Sequence, residues 1–515
     1  MHDAGALAAL PVWRADRLLH GVVRGQRWVH NPGVADALVL LSKGAAAVLD
    51  CADGRTLGEI SAGLAQTDLG RDRLLAEAPL LLRNGLLRTP RESGAVVAAL
   101  AATTAAGPTR PPERVFDLWL HVTNDCNLDC PYCYIGKGPQ HLDAAVAERA
   151  LGAIEMAAAA GHVDRVHVRY AGGEPMLRYR ALRAFHEEAT ARCARNGVRY
   201  SAAILTNGTV VPEDAPAWVR DEGLGVSISI DGLGAVQDAM RPTRAGRGSA
   251  DHLRRGLDRW QQAGIRPYVL VTAGDSNLAG LPELVSWLLQ RQLGFRISLV
   301  RDLEWGAGTL DDRHGAQRRL RAAPDAPYDA DGVLAGEALQ RVRGVMMTCY
   351  DHIEASVAAA VDAGRAPLPS FRATHRFCDL SPFRPIRKAC GAGSSYAAIG
   401  QDGHISPCQA ALHHPEDRVA LRGDRSIVEQ GRQHRPFGSF ERTAGNAACN
   451  ACRHQQSCAA GCPLLLARRD GHIDGRSPYC EVFRAVIPRI IGIAALELWG
   501  QARHRGTEIR QAEAA

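Results

Sequence analysis

The chain has 515 residues, which is too long for one hydrophobic core of ordinary size and predicts about two to four domains. A hydrophobic fraction of 46% and a net charge of +6 are typical of a globular protein. The sequence has neither a dense basic run nor an apolar run of about 18 residues, which argues against nucleic-acid and membrane partners. The acidic Asp3 and the lack of a basic N-terminal region argue against a secretory signal peptide. We therefore expect a cytoplasmic protein.

Residues 1–100 are predicted to form a small unit of their own. A helical pattern follows Leu41, and Thr56 and Glu59 have the spacing of a capping box that starts a second helix. A third helix carries leucines at helical spacing and is followed by a short strand, while Pro79 within it predicts a kink. Three short helices closed by a strand predict a winged-helix module.

Two motifs of this unit, G-R-T-L-G-E-I and L-L-R-N-G-L-L, resemble in their order the RiPP recognition element of the PqqD-like type. In that family the unit binds the leader of a ribosomally synthesised precursor peptide, which adds as an extra strand to a sheet edge. The resemblance implies that residues 1–100 bind such a leader. A DNA-binding winged helix of the same outline is the alternative, although the third helix is apolar rather than rich in Arg and Lys.

Strand and helix patterns alternate after a proline-containing linker at residues 101–112. Six strands separated by helix-length segments predict an α/β fold, a partial (β/α)6 barrel over residues 113–310. Ligands of such a fold gather at the carboxyl ends of the strands. The predicted strands are Val115–Val122, Arg165–Tyr170, Tyr200–Leu205, Gly225–Ile230, Arg266–Val271 and Phe295–Leu299.

Three cysteines, Cys126, Cys130 and Cys133, follow the first of these strands, and Tyr132 precedes the third of them. Thiolates at this spacing can each bind a different iron of a [4Fe–4S] cluster and leave the fourth iron without a protein ligand. The pattern resembles the signature of the radical S-adenosylmethionine (SAM) enzymes. That resemblance implies that the three cysteines are the catalytic cluster ligands and that SAM is cleaved to a 5′-deoxyadenosyl radical. A zinc knuckle is the alternative, but zinc usually takes a fourth ligand close by.

Further motifs follow the later strands. G-G-E-P after the second strand resembles the motif that binds the amino group of SAM in the same family, with glycines that let the backbone approach a ligand. The resemblance implies contacts to the SAM ribose and carboxylate from the fourth strand, and either Arg241 or Arg244 could pair with that carboxylate. The SAM-contact residues implied in this way are Tyr132, Gly172, Gly173, Glu174, Pro175, Asn207, Ser227, Ser229, Arg241 and Arg244.

A second cysteine field follows a connecting helical region predicted at residues 311–374 and precedes a C-terminal helix predicted at 486–515. Its spacing resembles the SPASM domain, here at 375–485, which binds two auxiliary [4Fe–4S] clusters in radical SAM peptide maturases. The resemblance implies an inner cluster on Cys390, Cys408 and Cys462, and an outer cluster on Cys449, Cys452, Cys458 and Cys480. Cys378 is either a fourth ligand of the inner cluster or free. A zinc ribbon is the alternative for such cysteine pairs.

The combined resemblances imply SAM, three [4Fe–4S] clusters, a precursor peptide, and an electron donor such as a flavodoxin or ferredoxin. They imply a radical SAM peptide maturase that installs a thioether or C–C cross-link. Anaerobic sulfatase-maturing enzymes share this layout but have an Asp base after the second SPASM cysteine, where this chain has Gln409, which cannot accept a proton. A non-catalytic iron–sulfur scaffold that binds a peptide is the alternative from another class.

Overall fold

The computed structural model describes residues 8–64, 71–90, 113–300, 333–365, 375–378, 380, 382–383, 391–412, 414–433, 447–458, 461–464, 466 and 475–504. The predicted linker at 101–112 and Cys390 lie outside these residues. No helix in the described part of the chain is long and apolar enough to cross a membrane.

The first 90 residues contain all three predicted helices: α1 (Lys43–Asp50), α2 (Leu57–Leu64) and α3 (Arg71–Arg83). The capping box before α2 is confirmed, because the Thr56 amide donates to Glu59 Oε2 at 2.8 Å and the Glu59 amide to Thr56 Oγ1 at 3.2 Å. The predicted closing strand is β6 (Leu87–Arg88), which pairs with β1 (Pro11–Arg14), and β1 pairs in turn with β5 (Asp53–Thr56). The winged-helix interpretation of these elements stays a prediction.

A second antiparallel sheet in this segment was absent from the prediction. It contains β2 (Leu19–Val23), β3 (Gln26–His30) and β4 (Leu38–Leu40), in that order. Arg24 and Gly25 connect β2 to β3, and both have positive φ, 48° and 78°. A two-residue hairpin turn with both φ values positive usually has Asn or Asp at its first position, so Arg-Gly is a weak turn signal.

The β2–β4 sheet joins two cores. Val29 and Val39 belong to the core of the N-terminal segment, whereas Trp28 and Leu38 on the other face belong to the main core of the molecule. Backbone bonds add to this contact: the Asp36 amide donates to the carbonyl of Phe383 at 2.7 Å. Residues 8–90 are therefore packed against the rest of the chain through a shared sheet.

Six parallel strands, as predicted, form the centre of a ten-stranded sheet and are neighbours in chain order. Their apolar residues alternate along each strand, so that one face packs against the connecting helices. The strands are β7 (Val115–Thr123), β8 (Arg165–Gly172), β9 (Arg199–Thr206), β10 (Gly225–Ser229), β11 (Tyr268–Ala273) and β12 (Phe295–Leu299). The connecting helices are α4 (Ala144–Ala159), α5 (Tyr179–Arg195), α6 (Ala215–Asp221), α7 (Ala235–Met240), α8 (Ala250–Gln262) and α9 (Leu281–Gln290).

The later part of the chain extends both edges of this sheet. α10 (Gly336–Asp362) precedes β13 (His375–Phe377), which pairs in parallel with β12. At the opposite edge β14 (Tyr396–Ile399) pairs in parallel with β7, and β15 (His404–Ser406) and β16 (Val419–Ala420) follow as antiparallel strands. The remaining α-helices in the described part of the chain are α11 (Ile427–Gln433), α12 (Ala447–Ala451) and α13 (Cys480–His504), of which α13 packs on α10, β2 and β4.

The two faces of β4 provide a matched test of the shared sheet. Leu38→Ala removes a side chain from the main core, so we expect a loss of about 2–5 kcal/mol in stability and faster amide hydrogen exchange in α13. Val39→Ala, one residue away on the other face, should speed exchange in α1 to α3 and leave α13 unchanged. Equal effects of the two variants on α13 would contradict this division of the sheet.

Candidate functional site

The cysteine loop after β7 lies at the carboxyl end of the parallel strands. Cys126 and Cys130 are buried, Cys133 is half-buried, and all three thiols are free of disulfides. The loop is anchored to the segment after α7, because the amide of Asp129 donates to the carbonyl of Pro242 at 2.8 Å. A backbone contact thus fixes the position of the loop that carries the three cysteines.

Gly172 and Gly173 bring the end of β8 against this loop. The Gly173 amide donates to the Thr123 carbonyl at 2.6 Å, and the next amide donates to the Asp125 carbonyl at 2.7 Å. A Cβ at Gly173 would lie 2.1 Å from the Asp125 carbonyl oxygen, and Gly172 has φ of 137°. In the structure these glycines admit the backbone of the cysteine loop, and their approach to a ligand stays a prediction.

The carboxylate of Glu174 is fully buried beside the loop. Oε1 accepts from the amide of Met176 at 3.0 Å and from Thr206 Oγ1 at 2.7 Å, and Oε2 accepts from the amide of Asn207 at 2.7 Å. Burial raises the pKa of Glu174 to about 7, against the opposing effect of these hydrogen bonds. A carboxylate offers about four acceptor positions, so about one remains for a ligand such as an ammonium group.

Asp231, which was not among the predicted site residues, links the cysteine loop to Arg241 and to β11. Its Oδ2 accepts from Arg241 Nε at 2.6 Å and from the Tyr132 hydroxyl, and its Oδ1 accepts from the amide of Thr272 at 2.7 Å. The Arg241 guanidinium also lies 5.4 Å from the centre of the Tyr132 ring. Asp231 lies two residues after the end of β10 in the motif S-I-S-I-D-G, and its place near a strand end was the available signal.

Each cysteine sulfur of the loop has one side-chain nitrogen donor near it. Asn207 Nδ2 lies 3.7 Å from Cys126 Sγ, and Arg241 Nη1 lies 4.0 Å from Cys130 Sγ. Lys137 Nζ lies 3.3 Å from the third sulfur, that of Cys133. Free thiols facing N–H donors and two cations suit an anionic thiolate-bound cluster.

The remaining predicted SAM contacts lie around the same strand ends. Ser227 and Ser229 are half-buried and point to the face of β10 opposite its buried valine and isoleucine. Pro175 begins the short helical turn that follows Glu174. Arg244 pairs with Asp125 at 3.2 Å, so both arginines proposed for the SAM carboxylate already pair with a carboxylate of the chain.

Four cysteines of the second field line one cavity of about 320 Å³: Cys449, Cys452, Cys458 and Cys480. Arg476 Nη2 lies 3.5 Å from Cys480 Sγ. Cys408 and Cys462 are half-buried and do not line this cavity. Cys378 extends β13, since its amide donates to the Ile297 carbonyl at 2.8 Å.

A comparison with known protein families agrees with the interpretation of the cysteine loop and of the strands around it. Residues 120–287 match the family model of the Radical SAM superfamily. This segment is a radical SAM domain. The family implies SAM and a [4Fe–4S] cluster as cofactors, and the donor set around Cys126, Cys130 and Cys133 fits such a cluster.

Relatives extend the similarity beyond this domain. A mycofactocin maturase of Mycobacterium tuberculosis is 24% identical over 369 residues, 70% of this chain and 81% of that protein. A serine-type anaerobic sulfatase-maturating enzyme of Klebsiella aerogenes is 32% identical over 180 residues, 34% of this chain and 44% of that protein. The structure of anSMEcpe with bound AdoMet has the same fold, with a TM-score of 0.55 at 14% identity, over 77% of this chain and 99% of that one.

Loss of the Asp231 charge should destabilise the protein. Asp231→Asn leaves the buried guanidinium of Arg241 without a compensating charge, and we expect a loss of about 3–5 kcal/mol in the free energy of unfolding. Asp221→Asn is the matched control, because Asp221 pairs with Arg220 in solvent and should cost at most about 1 kcal/mol. Denaturant unfolding of the wild type and of the two variants measures the difference. Equal losses of stability in the two variants would contradict a stabilising role of the pair Asp231–Arg241.

Proposed function

We propose that this radical SAM enzyme modifies a ribosomally synthesised precursor peptide and installs a thioether or C–C cross-link. The observation that carries the proposal is the position of residues 8–90 beside the second cysteine field. Arg17 donates to Gln455 Oε1 and to the Asn450 carbonyl, each at 2.7 Å, and Asn450 lies between Cys449 and Cys452. A unit with the predicted elements of a leader-binding domain is thus tied to the segment that carries the outer cysteines.

In this proposal Cys126, Cys130 and Cys133 hold the SAM-binding cluster. When bound, the cluster and SAM together supply a 5′-deoxyadenosyl radical, which abstracts a hydrogen atom from carbon. Glu174 would accept the SAM ammonium with its remaining lone pair while its other hydrogen bonds keep the end of β9 in place. The half-buried Ser227 would contact the ribose or carboxylate from β10.

The second cysteine field would hold two auxiliary clusters. The cavity lined by Cys449, Cys452, Cys458 and Cys480 supports the outer site, because four thiols around one space match the ligand number of a [4Fe–4S] cluster. The inner set, Cys390, Cys408 and Cys462 with or without Cys378, is proposed from the resemblance to the SPASM domain alone.

Residues 1–100 would hold the leader by strand addition. Among the described residues β2 is an edge strand of its sheet, and it carries Val22, which is 66% exposed. A strand added at this edge would gain backbone hydrogen bonds and meet an apolar side chain. Tethering the leader raises the local concentration of the core peptide at the barrel, which allows its own contacts to be weak. The mycofactocin maturase, similar over 70% of this chain, supports a maturase function.

Formylglycine formation, as in sulfatase-maturating enzymes, is the alternative. The similarity to such an enzyme covers 34% of this chain. Gln409 stands where those enzymes are expected to have an acidic base, and its Oε1 accepts a hydrogen bond from the Tyr396 hydroxyl. An amide held in this way cannot take up a proton, so the observation favours the cross-linking reaction.

Metal content separates the three proposed clusters. Anaerobically reconstituted protein should contain about twelve irons per chain, and replacing Cys126, Cys130 and Cys133 by Ala should remove about four irons and all SAM cleavage. Replacing Cys449, Cys452 and Cys458 should remove another set of about four. A matched triple variant of the cysteines outside both fields, Cys51, Cys193 and Cys349, should keep all of the iron. Zinc in place of iron would contradict the assignment.

Peptide processing tests the function itself. We expect anaerobic co-expression with the peptide of a neighbouring small reading frame to yield a product that has lost two hydrogen atoms and resists backbone fragmentation between the joined residues. Arg17→Ala removes both bonds to the cysteine segment, and should slow processing by about tenfold while leaving 5′-deoxyadenosine formation without peptide intact. Arg14→Ala, an exposed arginine on β1, is the control and should process normally.

Each alternative predicts a different product. An aldehyde that reacts with a hydrazide probe would identify formylglycine, and an unchanged mass would exclude a cross-link. Absence of 5′-deoxyadenosine from iron-loaded protein would favour a non-catalytic scaffold.

A further inference from the structure

We propose that Lys137, Asn207 and Arg241 are positioning residues that direct one N–H group at each sulfur of the cysteine loop and raise the reduction potential of its cluster. The inference rests on the proposed function only in that Cys126 and its two partner cysteines hold this cluster. It assigns to the three donors a role in how readily the cluster accepts an electron.

The donors come from three different parts of the fold and each meets a different sulfur. Asn207 follows β9, Arg241 follows α7, and Lys137 follows the loop itself. Their nitrogens lie 3.7, 4.0 and 3.3 Å from the sulfurs of Cys126, Cys130 and Cys133. Each sulfur thus has a side-chain donor of its own, and Cys126 has the backbone N–H of Leu128 in addition.

The orientation of the Asn207 amide is determined by its neighbours. Its Oδ1 accepts from the Thr209 amide at 2.9 Å and from the Thr209 hydroxyl, so this end of the amide must be the oxygen. Its Nδ2 donates to Asn127 Oδ1 at 2.9 Å and has a second hydrogen for Cys126 Sγ. The sulfur therefore faces a donor and not a carbonyl oxygen.

The other two donors carry positive charge. Arg241 is held by Asp231, which leaves its guanidinium no freedom to turn away from Cys130. Lys137 is half-buried, and only two other lysines, Lys43 and Lys388, occur in the chain. Reduction adds one negative charge to a cluster, and N–H groups and cations beside the sulfurs stabilise that charge, so they raise the potential.

Lys137 offers the cleanest experiment, because the bond to Cys133 is the only hydrogen bond of its ammonium group among the described residues. Its charge also acts on Cys126, Cys130 and Glu174. Lys137→Met removes both the charge and the donor, and Lys137→Gln keeps a donor without the charge. In full-length reconstituted enzyme, the potential is measured by redox titration of the EPR signal that changes on addition of SAM. We expect Lys137→Met to shift the reduction equilibrium about tenfold towards the oxidised form, about 59 mV for a one-electron couple.

The controls separate this role from a structural one. Lys137→Gln should show a smaller shift in the same direction, and Lys43→Met, the same substitution at the start of α1, should leave the potential unchanged. Lys137→Met with full iron content and the wild-type potential would overturn the inference. If Lys137→Met loses iron, the same test is applied to Lys137→Gln. Full iron content and the wild-type potential in that variant would then overturn the inference. Wild-type protein that binds no iron at the loop would instead contradict the proposed function.

Discussion

The buried ion pair of Asp231 and Arg241 is the interaction on which the site depends. Two charges out of water are costly unless each is fully bonded, and here the Asp231 carboxylate also accepts from the Tyr132 hydroxyl and the Thr272 amide. These contacts join the cysteine loop to β10, β11 and α7. The pair thereby sets the position of the cysteines relative to the strand ends from which a SAM molecule would be bound.

Close backbone packing between β8 and the cysteine loop also makes the site rigid. Gly172 and Gly173 allow β8 to meet the cysteine loop, and Glu174, placed by that contact, holds the start of the segment after β9. A residue with a side chain at Gly173 would push the loop away from β8. Catalytic geometry of this kind tolerates displacements of well under an ångström, which explains why glycine and a buried carboxylate occur together here.

The N-terminal segment is part of the same architecture. Its β2–β4 sheet places Trp28 and Leu38 in the main core and Val29 and Val39 in its own core, while Arg17 contacts the segment between two cysteines of the second field. A leader peptide bound here would therefore meet a surface held at a fixed distance from the barrel. Such preorganisation reduces the entropy lost when the core peptide enters the site.

The sequence by itself determined the six parallel strands, the three N-terminal helices and the cysteine loop, because hydrophobic periodicity, a capping box and metal-ligand spacing are local properties of the chain. Only the tertiary structure decided that Asp231 pairs with Arg241, that Lys137 and Asn207 face the sulfurs, and that β14 joins β7. The Asn207 and β14 contacts connect residues that are distant along the chain, whereas Lys137 lies four residues from Cys133 and Arg241 ten from Asp231. Even at short separation, a local pattern carries no information on which of many charged or polar residues will meet after folding.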